Sequence, residues 1–143
     1  LAAEGSLIIM DEAILDQDVV WQDFLGWFME KKYVPAAMGY DVYNSEVFVK
    51  GWNMTYGEYN TMKVRQGFRV ESVPLGEIKN LARERRLFFD QELMKFAMGN
   101  AVALVDNSGN QKLDKRRQEE KIDNVAALID AWVAYKQFKE GGA

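Results

Sequence analysis

The chain has 143 residues, of which 48% are hydrophobic and 28% are charged, and its net charge is −4. This composition is typical of a globular protein, and we expect residues 1–143 to form a single domain. The sequence contains no cysteine and no histidine, which excludes disulfides, thiolate metal sites and histidine-dependent catalysis. Any catalysis must use carboxylates, lysines, hydroxyls or a metal held by oxygen ligands, for which Mg²⁺ or Mn²⁺ is suited. No apolar run approaches the ~20 residues of a membrane helix, so no membrane partner is expected.

The first apolar run is Leu-Ile-Ile-Met at residues 7–10, which predicts a strand. Asp11 and Glu12 follow it, and an apolar strand that ends in two acids is the outline of the metal-binding strand of P-loop ATPases. The sequence has no Gly-Lys-Ser or Gly-Lys-Thr, hence no phosphate loop for such acids to serve. We therefore interpret Asp11 and Glu12 as turn residues.

Asp16 predicts the N-cap of a helix that continues to about Lys32. Helical spacing places several apolar side chains on one face, which predicts a buried stripe. The aromatic residues keep this spacing, so we interpret them as core and not as a platform for stacking bases. The stripe consists of Val20, Phe24, Trp27 and Phe28.

Residues 36–40 read as a short buried strand that ends at Asp41. An aspartate at the carboxyl end of a buried strand lies where α/β folds place ligands and chemistry. The alternative is that Asp41 caps the helix that begins near Asn44 or Ser45, and spacing alone leaves both interpretations open.

The central part of the chain alternates between helical and strand patterns, which indicates a layered α/β domain. Asp106-Asn107-Ser108-Gly109-Asn110 is a strong turn signal, so the two strands around it are predicted to form a hairpin. The predicted elements are helices over 46–52, 74–86 and 91–98, and strands over 62–65, 100–105 and 111–113.

The last helix is predicted to carry Ile122, Val125, Ile129, Trp132 and Val133 on its core face. Asp123 lies in its first turn, where a carboxylate also favours the positive end of the helix dipole. One turn on are Ala126 and Ala127, and two turns on is Asp130, so small residues flank an acidic face that could carry a metal or substrate site. Positive charge concentrates just before this helix, at Lys115, Arg116, Arg117 and Lys121.

Two stretches in this order resemble the C-terminal nuclease domain of tailed-phage large terminases, the DNA-packaging motor proteins. One is Met38-Gly39-Tyr40-Asp41; the other runs from Asn100 through Gly109-Asn110 and Lys115 to Lys121-Ile122-Asp123 and Ala-Leu-Ile-Asp-Ala. Between them, Val64-Arg65-Gln66-Gly67 and Val73-Pro74-Leu75 occupy the place of a similar strand, Gln-Gly pair and helix. The resemblance covers essentially the whole chain.

The resemblance implies a ribonuclease H-like α/β fold, a mixed sheet flanked by helices, truncated at its N-terminus. It implies metal-dependent cleavage of concatemeric viral DNA by a two-metal site for Mg²⁺ or Mn²⁺. The family's second acid falls on Asp41 and its late acid on Asp123, with Asp130 as a weaker third metal ligand. Lys115, Arg116, Arg117 and Lys121 are implied contacts to DNA phosphates.

The family's first acid lies on a strand upstream of the residues seen here, so we expect this chain to be a fragment with an incomplete metal site. The parent protein is expected to act in the host cell cytoplasm on double-stranded DNA, with the portal or procapsid and the small terminase subunit as partners. Unpaired sheet edges predict self-association of the fragment. Two alternatives stay open: a nuclease of the resolvase or transposase type, and a non-catalytic docking module of the packaging motor.

Overall fold

The structure is a computed structural model that describes residues 16–43, 45–89, 91–115 and 122–141. Helices and strands are interspersed along these residues, as predicted for an α/β domain. The predicted strand at residues 7–10, with Asp11 and Glu12, lies outside the described residues. The elements are α1 (Gln17–Glu30), β1 (Met38–Tyr40), α2 (Glu46–Tyr56), β2 (Thr61–Lys63), α3 (Phe68–Arg83), α4 (Glu92–Asn100), β3 (Ala103–Val105), β4 (Gln111–Leu113) and α5 (Asp123–Glu140).

The described strands form two small sheets, one parallel and one antiparallel. In the parallel pair, β1 and β2 align with Gly39 opposite Met62. The antiparallel pair is the predicted hairpin, with Ala103 opposite Leu113. Asp106 closes the hairpin turn by accepting hydrogen bonds from the backbone amides of Ser108 and Asn110.

The main core lies where α3, α4 and α5 meet the hairpin. The predicted face of α5 is confirmed, since Ile122, Val125 and Ile129 are buried while Trp132 and Val133 pack against the same cluster. The other members of the core come from α3, α4 and β4: Leu75, Ile78, Ala97 and Leu113. Among the described helices, none is long and apolar enough to cross a membrane.

A second cluster, made of aromatic side chains, joins α1 to α2. Asp16 caps α1 as predicted, accepting a hydrogen bond from the Asp18 amide. The predicted stripe on α1 is wrong at Trp27, which is 48% exposed, whereas Trp21 is buried. The reason is that Gly51 in α2 leaves room for the Trp21 indole, whose Nε1 lies 2.6 Å from where a Cβ of Gly51 would be.

The helix α3 begins at Phe68, so the predicted start at Pro74 is wrong. Gly67 adopts a φ of 130°, which glycine tolerates, and the Glu71 side chain accepts a hydrogen bond from the Gly67 amide. These two features start the helix earlier, and Pro74 is buried inside it.

Candidate active site

Asp41 lies directly after β1, as the sequence predicted, and both of its carboxylate oxygens accept hydrogen bonds. Oδ1 accepts from the Tyr43 backbone amide at 3.0 Å. Oδ2 accepts from the side-chain amide of Gln66, which follows β2. The residue at the N-cap of α2 is Ser45, so Asp41 does not cap that helix. Its orientation is set by the two segments that leave the parallel strands.

Gly39 brings α5 against β1, and this contact places a second acid beside Asp41. A Cβ on Gly39 would overlap the Asp130 carbonyl oxygen, and it would lie 2.8 Å from the carbonyl carbon and 3.3 Å from the Ala134 Cβ. Real Cβ atoms essentially never approach backbone this closely, so only glycine permits this contact. The strand and the helix therefore meet backbone to backbone two residues before Asp41.

The predicted acids meet in one small cavity of about 210 Å³, which we call the acid cavity. Its walls come from the ends of β1 and β4, from α3 and from the first two turns of α5. The small residues predicted to flank the acids lie there as well. The lining residues are Asp41, Gln66, Glu71, Lys115, Asp123, Ala126, Ala127, Ile129 and Asp130.

The acidic residues of the cavity interact electrostatically. Burial raises the pKa of Asp130 to about 6, with further increases from the negative charges of Asp41 and Glu71 and an opposing effect from Lys115. Burial is the largest cause, and the neighbouring carboxylates add to it, so the neutral form of Asp130 is favoured. A bound cation would relieve the repulsion between these carboxylates.

Three of the predicted basic residues fall outside the part of the chain that the structure describes: Arg116, Arg117 and Lys121. Lys115 is described and lines the acid cavity. Glu71 was not predicted as a cavity residue, because the predicted helix began at Pro74 and left Glu71 outside it. The sequence signal for Glu71 is Gly67, four residues earlier. A glycine at the N-cap followed by an acid in the first turn indicates that a helix begins there.

The residues of the cavity fit a divalent cation in their chemistry. Carboxylate oxygens are the ligands that Mg²⁺ and Mn²⁺ prefer, and no nitrogen or sulfur ligand competes in a chain without histidine or cysteine. Within the described residues, however, no group of three or more acids is arranged so that it could hold a metal ion. Asp41, Asp123 and Asp130 share the acid cavity without forming a closed cage.

The sequence of the chain matches the model of a known protein family. The family model described as "Terminase large subunit, endonuclease domain" matches residues 4–139. The chain belongs to this family. No curated protein sequence matches the chain.

The terminase endonuclease domain described here is also similar to a solved structure, that of the HK97 bacteriophage large terminase. The two share 22% sequence identity with a TM-score of 0.77, over 92% of this chain. This likeness shows that the terminase nuclease fold, which is ribonuclease H-like, is the fold of this chain. The chain spans 27% of the length of the HK97 protein.

Proposed function

We propose that the acid cavity is the nuclease site of a terminase large subunit, which cleaves phosphodiesters of concatemeric viral DNA with the help of Mg²⁺ or Mn²⁺. The observation that carries this proposal is the meeting of Asp41, Asp123, Asp130 and Lys115 in one cavity, although they come from separate parts of the chain. A carboxyl group whose pKa is raised by burial and by neighbouring acids is common at catalytic sites. Membership of the endonuclease family supports the same function.

Each residue would have a distinct task in this chemistry. Asp41 and Asp123 would hold the cation, with Asp130 as a weaker third ligand, and the cation when bound would activate a water and stabilise the leaving oxygen. Asp123 and Asp130 are two turns apart on α5, a rise of about 10 Å, and both line the cavity. Lys115 would attract the phosphate, and Arg116, Arg117 and Lys121 would extend that attraction along the DNA backbone.

The test measures Mn²⁺ affinity and plasmid cleavage in the chain and in an N-terminally extended form taken from the proposed large subunit. Asp41→Asn and Asp123→Asn should each weaken Mn²⁺ binding by about 10-fold or more and abolish cleavage by the extended form. The matched control is Asp23→Asn, an exposed aspartate on α1, which should leave both unchanged.

The outcomes separate this function from its two rivals. A folded extended form that neither binds Mn²⁺ nor cuts DNA would overturn the proposal and favour a docking module of the packaging motor. Cleavage restricted to branched DNA would favour a nuclease of the resolvase or transposase type. Cleavage of linear concatemers that disappears in Asp123→Asn would support the terminase function.

The setting of the whole protein belongs to the same proposal. Residues 1–143 would form one nuclease domain of a longer packaging protein that works on double-stranded DNA in the host cell cytoplasm. Its partners would be the portal or procapsid and the small terminase subunit. Sedimentation of the isolated chain would test whether it self-associates.

A further inference from the structure

Glu71 stands out in the wall of the acid cavity because its carboxylate is buried. It is 5% exposed, and no other charged residue in the described parts of the chain is buried to this degree. Glutamates are almost never buried in this way unless their oxygens are hydrogen-bonded. The partners of Glu71 therefore indicate what its burial achieves.

Each oxygen of Glu71 accepts a hydrogen bond from a different segment of the chain. Oε2 accepts from the Gly67 amide at 2.6 Å, and Oε1 accepts from the Leu113 amide at 3.3 Å. Gly67 follows Gln66, and Leu113 lies two residues before Lys115. One carboxylate thus ties together the segments that carry two residues of the site.

The contact from Gln66 to Asp41 completes this arrangement. The Gln66 side-chain amide donates to Oδ2 of Asp41, while the Tyr43 amide takes Oδ1. The plane of the Asp41 carboxylate is therefore fixed from both sides. Gln66 is exposed, so its backbone needs another anchor, and the Glu71 bond to the next residue provides one.

Helix capping alone does not account for Glu71. A side chain in the first turns of a helix that accepts the N-cap amide is a familiar capping arrangement, and it explains the bond to Gly67. It explains neither the bond to Leu113 nor the position in the cavity wall. A second tie between the same elements, from the Gln111 amide to the Ser72 hydroxyl at 3.1 Å, also docks α3 on β4.

We propose that Gln66 and Glu71 are positioning residues of the site: Glu71 holds the Gln66–Gly67 turn, and through it Gln66 sets the orientation of the Asp41 carboxylate. This inference rests on the proposed function, because the orientation of Asp41 serves a purpose if Asp41 holds a metal ion. Residues that orient metal-binding carboxylates cost about 10–100-fold in metal affinity or activity when they are replaced.

The experiment compares Glu71→Gln, Gln66→Ala and the control Glu77→Gln, which changes a glutamate on the same helix that pairs with Lys136. Glu71→Gln keeps one acceptor oxygen but turns an NH₂ group toward one of the two backbone donors. The first readout needs no metal: the side-chain NH₂ resonances of Gln66 in a ¹⁵N spectrum, assigned by their loss in Gln66→Ala. The second readout is the Kd for Mn²⁺ from calorimetry.

We expect Glu71→Gln to move the Gln66 resonances in the same direction as Asp41→Asn does, toward those of a free glutamine side chain. We expect both Glu71→Gln and Gln66→Ala to weaken Mn²⁺ binding by about 10-fold or more at an unchanged fold, and Glu77→Gln to change it less than about twofold. A role of Glu71 in stability alone would move neither readout in a chain that stays folded.

Unchanged Gln66 resonances and unchanged Mn²⁺ affinity in folded Glu71→Gln would overturn the inference while Asp41→Asn still tests the proposed function. If Glu71→Gln does not fold, Gln66→Ala tests the inference instead, because an exposed side chain can be removed without unfolding the chain. Wild-type Mn²⁺ affinity in Gln66→Ala would then overturn the inference. If the wild-type chain binds no Mn²⁺, the proposed function fails, and the Gln66 resonances alone then support or overturn the positioning of Asp41.

Discussion

Replacing Asp130 with asparagine should stabilise the folded chain at neutral pH while weakening the proposed metal site. Asp130 is half-buried in the acid cavity, and burial raises its pKa to about 6, with the Asp41 charge adding to the effect. Its unfolded value is 3.8. Asparagine has nearly the same shape without the charge, so it removes the cost of ionising this carboxyl in the folded state.

The sign and size of the effect follow from the two pKa values. Because the folded value is the higher one, the folded chain binds more protons than the unfolded chain between pH 3.8 and about 6, so wild-type stability falls as pH rises through that range. The difference between the two pKa values corresponds to about 3 kcal/mol. The cavity is open to water, and screening reduces this to about 1–2 kcal/mol.

The assay is urea unfolding of wild type and Asp130→Asn at two pH values. At about pH 7.5 the variant should be more stable by about 1–2 kcal/mol, and at about pH 4.5 by about a third of that amount. Saturating Mn²⁺ at about 100 times its Kd should stabilise wild type by about 2.7 kcal/mol and the variant by much less. Asp23→Asn, at an exposed position on α1, serves as the control. A stability gain that is equal at both pH values, or a loss at neutral pH, would refute the reasoning.

Two further substitutions test the packing that builds the site. In thermal melts, Gly39→Ala should destabilise the chain by about 1–3 kcal/mol, because its methyl would push α5 and the Asp130 backbone away from β1. The same displacement should weaken Mn²⁺ binding. The control is Gly26→Ala in α1, whose added methyl meets nothing within 4 Å and should be neutral or slightly stabilising. Trp21→Ala should cost about 3–5 kcal/mol in urea unfolding yet leave Mn²⁺ affinity in the folded fraction unchanged, since the aromatic cluster joins α1 to α2 and is separate from the acid cavity. Weaker Mn²⁺ binding in Trp21→Ala would contradict that separation.

The expected gain from Asp130→Asn has a bearing on function. Burial and the neighbouring charges of Asp41 and Glu71 make the ionised form of Asp130 unfavourable in the folded chain, and Lys115 offsets only part of this effect. Sites that bind a cation commonly carry such a cost, because the ion supplies the compensating charge. A bound metal ion would therefore offset the cost of ionising Asp130 in the folded chain.

The local patterns in the sequence predicted most of the elements and several residues that line the acid cavity. Asp16 before an apolar stripe predicted the start of α1, and the Asp106–Asn110 turn predicted the hairpin. The 3.6-residue spacing from Ile122 to Val133 predicted the core face of α5. These features depend on short-range backbone geometry and periodicity, which a sequence displays directly.

The tertiary structure alone decided which residues meet. No sequence spacing reveals that Gly39 lets α5 touch β1, or that Gly51 accepts the indole of Trp21. Glu71 was missed because α3 was predicted to begin at Pro74, and its hydrogen bond with Leu113 forms only when α3 docks on the hairpin. Long-range contacts depend on how faces of separate elements fit together, so the acids of the cavity could be chosen from the sequence, whereas the contacts that hold Asp41 and Glu71 could be found only in the folded chain.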